Sequence, residues 1–315
     1  MIKTGIYGAD SPCASSLIKL LLHHPDVDLR WLCSGASNAG MPVADFHPQL
    51  TGETDMVFVA TPALGSVDVI FLAASAKENR ALLATSPELA QDVRLIDMSG
   101  EFLQENPEGN RFVYGLPELN RKALVRGATR AVLPTVSAAA VALPLLPLAK
   151  NLLLNSPVHS AVVGSGMLMP DKGKMSAGNL VSMIKTSDKI EEEVAQTLRE
   201  LQTSFNAPIS IIPVAADEGL MSVIQLNTAV SAEEITRIYK TFFSDHSFVT
   251  VTDTEPTLQS VRGTNKAVIC LRKNSVSNKL TITTVMDDSI KGFSGNAVHI
   301  MNLLFGLSEK TGLIL

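Results

Sequence analysis

The sequence holds three cysteines, Cys13, Cys33 and Cys270, far apart along the chain. Their spacing forms neither a disulfide framework nor a metal-ligand pattern. That excludes a small cross-linked secreted scaffold, leaves no metal to be expected, and implies reduced thiols in a reducing compartment. Long apolar runs are also missing. A membrane helix needs about 18 or more consecutive apolar residues, and the best candidate, "AAAVALPLLPLA", is too short and contains two prolines. The opening "MIKTGIYGAD" has one lysine and then a glycine-punctuated strand, not a signal-peptide pattern. No membrane partner is expected, and the expected location is cytoplasmic. Positive charge is sparse as well: 26 Lys and Arg face 31 Asp and Glu, for a net charge of −5. The basic residues are scattered rather than gathered into a stripe, which argues against a nucleic-acid partner.

What is present points to a globular enzyme-sized chain. Its 315 residues suit two domains, and 46% hydrophobic against 18% charged residues predicts a sizeable core. "IKTGIYG" reads as a strand, "SPCASSLIKLLLHHP" as a helix stopped by Pro25, and "VDLRWLCSG" as a second strand. "GSVDVIFLAASA", 65–76, is an almost continuous apolar strand of the kind covered on both faces. "KENRALLATSPEL" fits a helix and "VRLIDMSG" another buried strand. This alternation predicts an α/β domain with a doubly wound, Rossmann-like parallel sheet.

Beyond about residue 155 the texture changes. Six β-rich segments, from "VHSAVVGSGMLM" to "KLTITTVMDD", follow with only two helices between them. One helix is expected near 188–204, with Asp188 and Glu191 as a capping-box variant. The other follows Ser231, with Glu234 in the same relation. This half is expected to be an α+β domain on a mostly antiparallel sheet. A last helix is predicted from the spacing of Ala297, Ile300, Met301, Leu304 and Leu307, with Gly312 just beyond.

Two strand-to-helix turns carry the functional expectations. "GIYGADSPCAS" has glycine at Gly5 and Gly8, then Ser11 and Ala14 at the same spacing. It admits a dinucleotide turn, weakened by Ser11 and by the acidic Asp10. It equally admits an ordinary turn in which Asp10 or Ser11 caps the helix. Ser34, Ser37 and Asn38 follow the second strand, where an acid would bind a ribose 2′-hydroxyl. No acid stands there, which favours a 2′-phosphorylated dinucleotide. The second turn is "RAVLPTVSAAAVALPLLPLAK", 130–150. A helix N-terminus at this place would lower a cysteine pKa, but the turn offers only Thr135, Val136 and Ser137.

From end to end the chain resembles the N-acetyl-γ-glutamyl-phosphate reductase family, relatives of aspartate-semialdehyde dehydrogenase. The segments that carry the resemblance include "VRLIDMSGEF", "YGLPELNR" (114–121), "VRGTNKAVICL" (261–271) and "MDDSIKGFSGNAVHIMNLLFGLSEKTGL" (286–313). The resemblance implies a dinucleotide-binding domain over 1–134 and 290–315 and an α+β substrate and dimerisation domain over 135–289. It also implies NADP-dependent reduction of an acyl phosphate to a semialdehyde, in arginine biosynthesis, and a homo-oligomer, dimer or tetramer. Gly5, Gly8, Ser11, Ser34, Ser37, Gly295 and Asn296 would face the cofactor. In the family a cysteine thiolate attacks the acyl carbon, a histidine moves protons, and hydride reduces the thioester.

Laid on the family's pattern, the nucleophile falls on Val136. The family's His-Arg-His segment falls near Asp188–Glu193, "DKIEEE", which has no histidine, and its substrate-binding Arg-Gly falls on Glu218-Gly219. Its glycine-rich loop keeps Ser165-Gly166, with Lys172 and Lys174 near the basic end. Ser137 is a surrogate nucleophile or an N-cap, and His159 and His299 are bases or structural residues. The three cysteines are expected to be small buried hydrophobes. The expectation is a diverged, non-catalytic member that binds a partner, a reductase subunit or a small ligand. The alternatives are an oxidoreductase with altered chemistry, using a lysine such as Lys172 or Lys189 as acid, or a weakly active family reductase.

Overall fold

The computed structural model describes residues 1–86, 89, 93–103, 112–164, 177–216 and 219–315. Two compact units divide the chain: Met1–Pro134 with Phe293–Ile314, and Thr135–Gly292 with Leu315.

The first unit contains β1 (Ile2–Tyr7), α1 (Ala14–Leu22), β2 (Val27–Cys33), α2 (Val43–Phe46), β3 (Val69–Leu72) and α3 (Ala76–Thr85). It continues with β4 (Arg94–Asp97), β5 (Val113–Tyr114), α4 (Pro117–Val125) and β6 (Arg130–Val132). Its strands form one parallel sheet in the order β2-β1-β3-β4-β6-β5. Alternate residues feed two cores: Ile6, Phe71, Ile96 and Ala131 into one, Cys33, Ile70, Leu72, Leu95 and Val132 into the other. Both faces are therefore covered, as continuous apolar strands require. The strand expected over 65–76 shrinks to Val69–Leu72, because β1 offers it partners only from Thr4 to Tyr7. Ser75 then starts α3 with a full capping box to Glu78.

The second unit contains α5 (Val136–Lys150), β7 (Val158–Gly164), α6 (Ala177–Arg199), β8 (Ile209–Ala215), β9 (Leu220–Asn227) and α7 (Ala232–Phe242). It ends with β10 (Val249–Thr252), β11 (Ala267–Asn274) and β12 (Lys279–Met286). The sheet order is β10-β11-β12-β9-β7-β8, antiparallel at β11-β12, β12-β9 and β9-β7 and parallel at both edges. Helix α5 runs beneath one face although it contains Pro144 and Pro147. Each proline lacks the N–H that a helix carbonyl four residues back expects. A tertiary donor compensates for Pro144: Ser222 Oγ donates to the Ala140 carbonyl at 2.7 Å. Tyr239 Oη adds a further tie by donating to the Pro144 carbonyl at 2.6 Å.

Helix ends depart from the sequence expectations. Helix α6 begins at Ala177, so Asp188 lies inside it and caps nothing; the Asp-x-x-Glu spacing there is a coincidence of an acidic helix face. Ser231 does cap α7, accepting from Glu234 N–H at 3.2 Å. The last helix, α8 (Gly295–Leu304), stops before Leu307, where Gly306 turns the chain at φ +68°. Gly312 does not end the helix. It lies against His24, and a Cβ there would sit 2.3 Å from the imidazole Cδ2.

Candidate functional site

All strands of the first sheet are parallel, so their carboxyl ends share one edge. The order reverses between β1 and β3, and that crevice is where open α/β sheets take their ligands. Gly8 sits there. It has φ +85°, and a Cβ on it would come within 2.2 Å of the Ala74 nitrogen at the end of β3. Only glycine fits so tight a turn. Gly5 is not part of the turn. It lies within β1, where its missing Cβ makes room for the Trp31 ring, 2.3 Å from the position a Cβ would take. The fingerprint therefore starts at Gly8.

Neither Asp10 nor Ser11 caps α1. Cys13 occupies the N-cap position and no side chain bonds the helix end. The Ser11 hydroxyl is buried with no hydrogen-bond partner among the described residues. A glycine cradle and an orphaned hydroxyl at the switch point fit the pyrophosphate of a dinucleotide. Ser34 is buried at the end of β2 and donates to the Gly35 carbonyl at 3.2 Å. Ser37 is exposed on the following turn, with its hydroxyl 3.5 Å from Asn38 Oδ1.

Gly295 opens α8 and Asn296 follows, almost fully buried. Asn296 Nδ2 donates to the Gly115 carbonyl, just past β5, at 2.9 Å. Its Oδ1 has no partner among the described residues. Gly115 itself is crowded by Ile300 Cδ1 at 2.5 Å from a virtual Cβ. The "YGLPELNR" segment and α8 therefore pack directly against each other. At the end of β4, Asp97 accepts from Ser99 Oγ at 2.6 Å and from the backbone N–H groups of Ser99 and Phe102. Burial nevertheless raises its pKa.

In the second unit, Val136 is the first residue of α5, half-buried, with Cγ1 2.9 Å from the place of a Gly292 Cβ. Thr135 is the N-cap residue, so Ser137 lies inside the helix and is not the cap expected of it. The Glu193 carboxylate, from α6, accepts from Thr135 N–H at 3.0 Å and from Thr135 Oγ1 at 2.6 Å. Sequence reasoning missed this acid; only the fold brings it to α5.

The two histidines of this unit lie elsewhere. His159 is exposed on β7. It alternates with Ser160, whose row faces α5, so it points to the opposite side of the sheet. His246 stacks on Phe242, ring centroids 5.8 Å apart. In the first unit, His299 is buried and bonded to Glu309 at 2.7 Å.

Two of the three thiols are held in the protonated, unreactive form. Burial first, and the Asp10 carboxylate second, push the Cys33 pKa up to about 11. Burial likewise raises that of Cys270. Cys13 is half-buried rather than buried. Among the described residues no three His, Cys, Asp or Glu side chains gather to hold a metal, and no helix is long and apolar enough to cross a membrane. Lys189 is exposed on α6. Ser165, Gly166, Lys172, Lys174 and Glu218 lie outside the described residues.

Family models match both units in turn: "Semialdehyde dehydrogenase, NAD binding domain" over residues 3–126, and "Semialdehyde dehydrogenase, dimerisation domain" over 137–288. N-acetyl-gamma-glutamyl-phosphate reductase from Parabacteroides distasonis is 40% identical over 323 aligned positions, covering 99% of this chain and 98% of the relative. The chain belongs to the N-acetyl-gamma-glutamyl-phosphate reductase family. The Phocaeicola vulgatus member is 37% identical over 99% of this chain and 98% of its own length. The family's fold is shared with aspartate semialdehyde dehydrogenases. The Candida albicans enzyme, solved with NADP, superposes with a TM-score of 0.69 at 16% identity, covering 97% of this chain and 98% of that one. The Vibrio cholerae enzyme II, complexed with ASA, gives 0.68 at 15%, covering 97% and 98%.

Proposed function

We propose that this chain is a dinucleotide-binding member of the reductase family that does not perform the family's thioester chemistry. The observation that carries the proposal is Val136 at the first position of α5, the position to which the family resemblance assigns the nucleophilic cysteine. A branched hydrocarbon has no lone pair to attack an acyl carbon. Loss of a nucleophile costs on the order of a millionfold in a serine protease.

The neighbours support the same reading. The family's histidine falls in the stretch that here supplies Glu193, and Glu193 is bonded to Thr135. A carboxylate then occupies the positive end of α5, where a thiolate would otherwise be favoured. Neither His159 nor His246 faces that helix end. Ser137 is buried inside the first turn of α5.

The cofactor reading rests on Gly8, the orphaned Ser11 hydroxyl and Asn296 Oδ1 at the carboxyl edge of the first sheet. When bound, a nicotinamide dinucleotide supplies hydride chemistry; the chain's own groups there bind and orient. A second copy of the chain is the expected partner. The face of the second sheet turned away from α5 carries Ile212 and Val214, 62% and 43% exposed, in register with Ala161, Val163, Val223 and Met221. An apolar sheet face of this kind suits a symmetric dimer.

The test is to titrate purified protein with NAD and NADP calorimetrically, then to assay N-acetylglutamate semialdehyde with phosphate and either dinucleotide. Binding without turnover is expected. Turnover that survives Ser137→Ala and responds to mutation of any cysteine overturns the proposal. Val136→Cys, paired with a histidine in place of Glu193, is expected to recover measurable activity.

A further inference from the structure

β2 ends at Cys33 and is followed by Ser34-Gly35, with no acid to receive the adenosine ribose. By sequence that favours a 2′-phosphorylated dinucleotide. In three dimensions an acid arrives from another segment. Asp10, in the Gly8 turn, reaches the loop after β2 and its Oδ2 accepts from Asn38 Nδ2 at 2.9 Å. Its carboxylate also lies close enough to the Cys33 thiol to help hold the proton there. The acid therefore comes from the turn after β1, and it borders the loop after β2, the segment from which dinucleotide-binding sheets present a carboxylate to the ribose.

Positive charge to offset it is scarce. A 2′-phosphate is normally accommodated by a nearby arginine, yet residues 31–76 contain no lysine or arginine. The imidazole of that stretch, His47, is buried and donates to the Ala9 carbonyl at 2.8 Å. Lys77 is the second residue of α3, next to Glu78, and Glu78 adds negative potential at Tyr7, the last residue of β1.

We infer that Asp10 makes this site select the dinucleotide without a 2′-phosphate, with Asp10 and Asn38 receiving the adenosine ribose. The selectivity combines attraction and repulsion: the carboxylate accepts from ribose hydroxyls and repels a phosphate dianion. This rests on the cofactor reading above and sharpens it.

Calorimetric titration of the wild-type chain with NAD and with NADP at low salt tests the inference without any variant. NAD is expected to bind at least tenfold more tightly, and the gap is expected to narrow as salt screens the repulsion. Asp10→Asn and Asp10→Ser, each checked for an unchanged circular-dichroism spectrum, are expected to tighten NADP binding at least fivefold. Equal or tighter NADP binding by the wild type overturns the inference while leaving the cofactor reading standing. So does a ratio unmoved by both substitutions. Silence toward both dinucleotides in all three proteins overturns the cofactor reading and this inference with it.

Discussion

Glu193 accepts both hydrogen-bond donors of Thr135, the backbone N–H at 3.0 Å and the hydroxyl at 2.6 Å. A single carboxylate from α6 thereby anchors the entry to α5. Glu193→Ala is expected to lower stability by about 1 kcal/mol, the ordinary scale of a lost cap or charged hydrogen bond at a half-exposed site. Urea denaturation reads this. An unchanged midpoint would mean that the helix start is held by packing alone.

The hydroxyls of Ser222 and Thr284 face each other across β9 and β12, and opposite outcomes are expected on removing them. Ser222 serves the Ala140 carbonyl stranded by Pro144, so Ser222→Ala should cost about 1–3 kcal/mol by leaving a buried acceptor unpaired. Thr284 Oγ1 is buried without a partner among the described residues, so the isosteric Thr284→Val should raise the Tm. Thermal melts of the two variants check the contrast.

Light scattering is expected to give a mass near twice the 33.6 kDa of one chain. Ile212→Asp and Val223→Asp place charge in the middle row of the open sheet face and should reduce the mass to that of a monomer without loss of helical signal. A wild-type monomer at micromolar concentration would remove the dimer from the proposed function.

Alkaline pH should destabilise the fold through Cys33. Its native pKa is about 11, against about 8.5 for a free thiol. Between those values the folded state keeps a proton that the unfolded chain releases, so stability falls as pH rises through that window and is fully present below it. Tyr7 and Cys270, also raised, act in the same sense. Stability measured from pH 8 to 11 should fall less steeply for Cys33→Ala; identical slopes would show that the thiol does not contribute.

Much of this architecture is legible in the sequence where one periodicity dominates. Burial alternates along β7 and β9, and Leu17 with Leu21 or Ile300 with Leu304 mark helix faces. Short elements are not legible: β5 is two residues, Val113–Tyr114, held by β6 alone. Capping patterns mislead where a helix continues upstream, as at Asp188. Gly5 looks like a phosphate-facing glycine, but a tryptophan on the neighbouring strand claims its space. The candidate site is legible at Val136 and Gly8, because turns between a strand and a helix have local signatures. Asp10 against Asn38 and Glu193 against Thr135 are not, because each pair is joined only by the fold.

The first unit is left at Pro134 and resumed only at Phe293, and α8 packs there on α1, α4 and β4. During synthesis the ribosome must therefore make the whole second unit before the first can close. For that interval the apolar groove awaiting Ala297, Ile300 and Met301 stands open to water. Most of the first unit is thus translated first, yet its core is completed last.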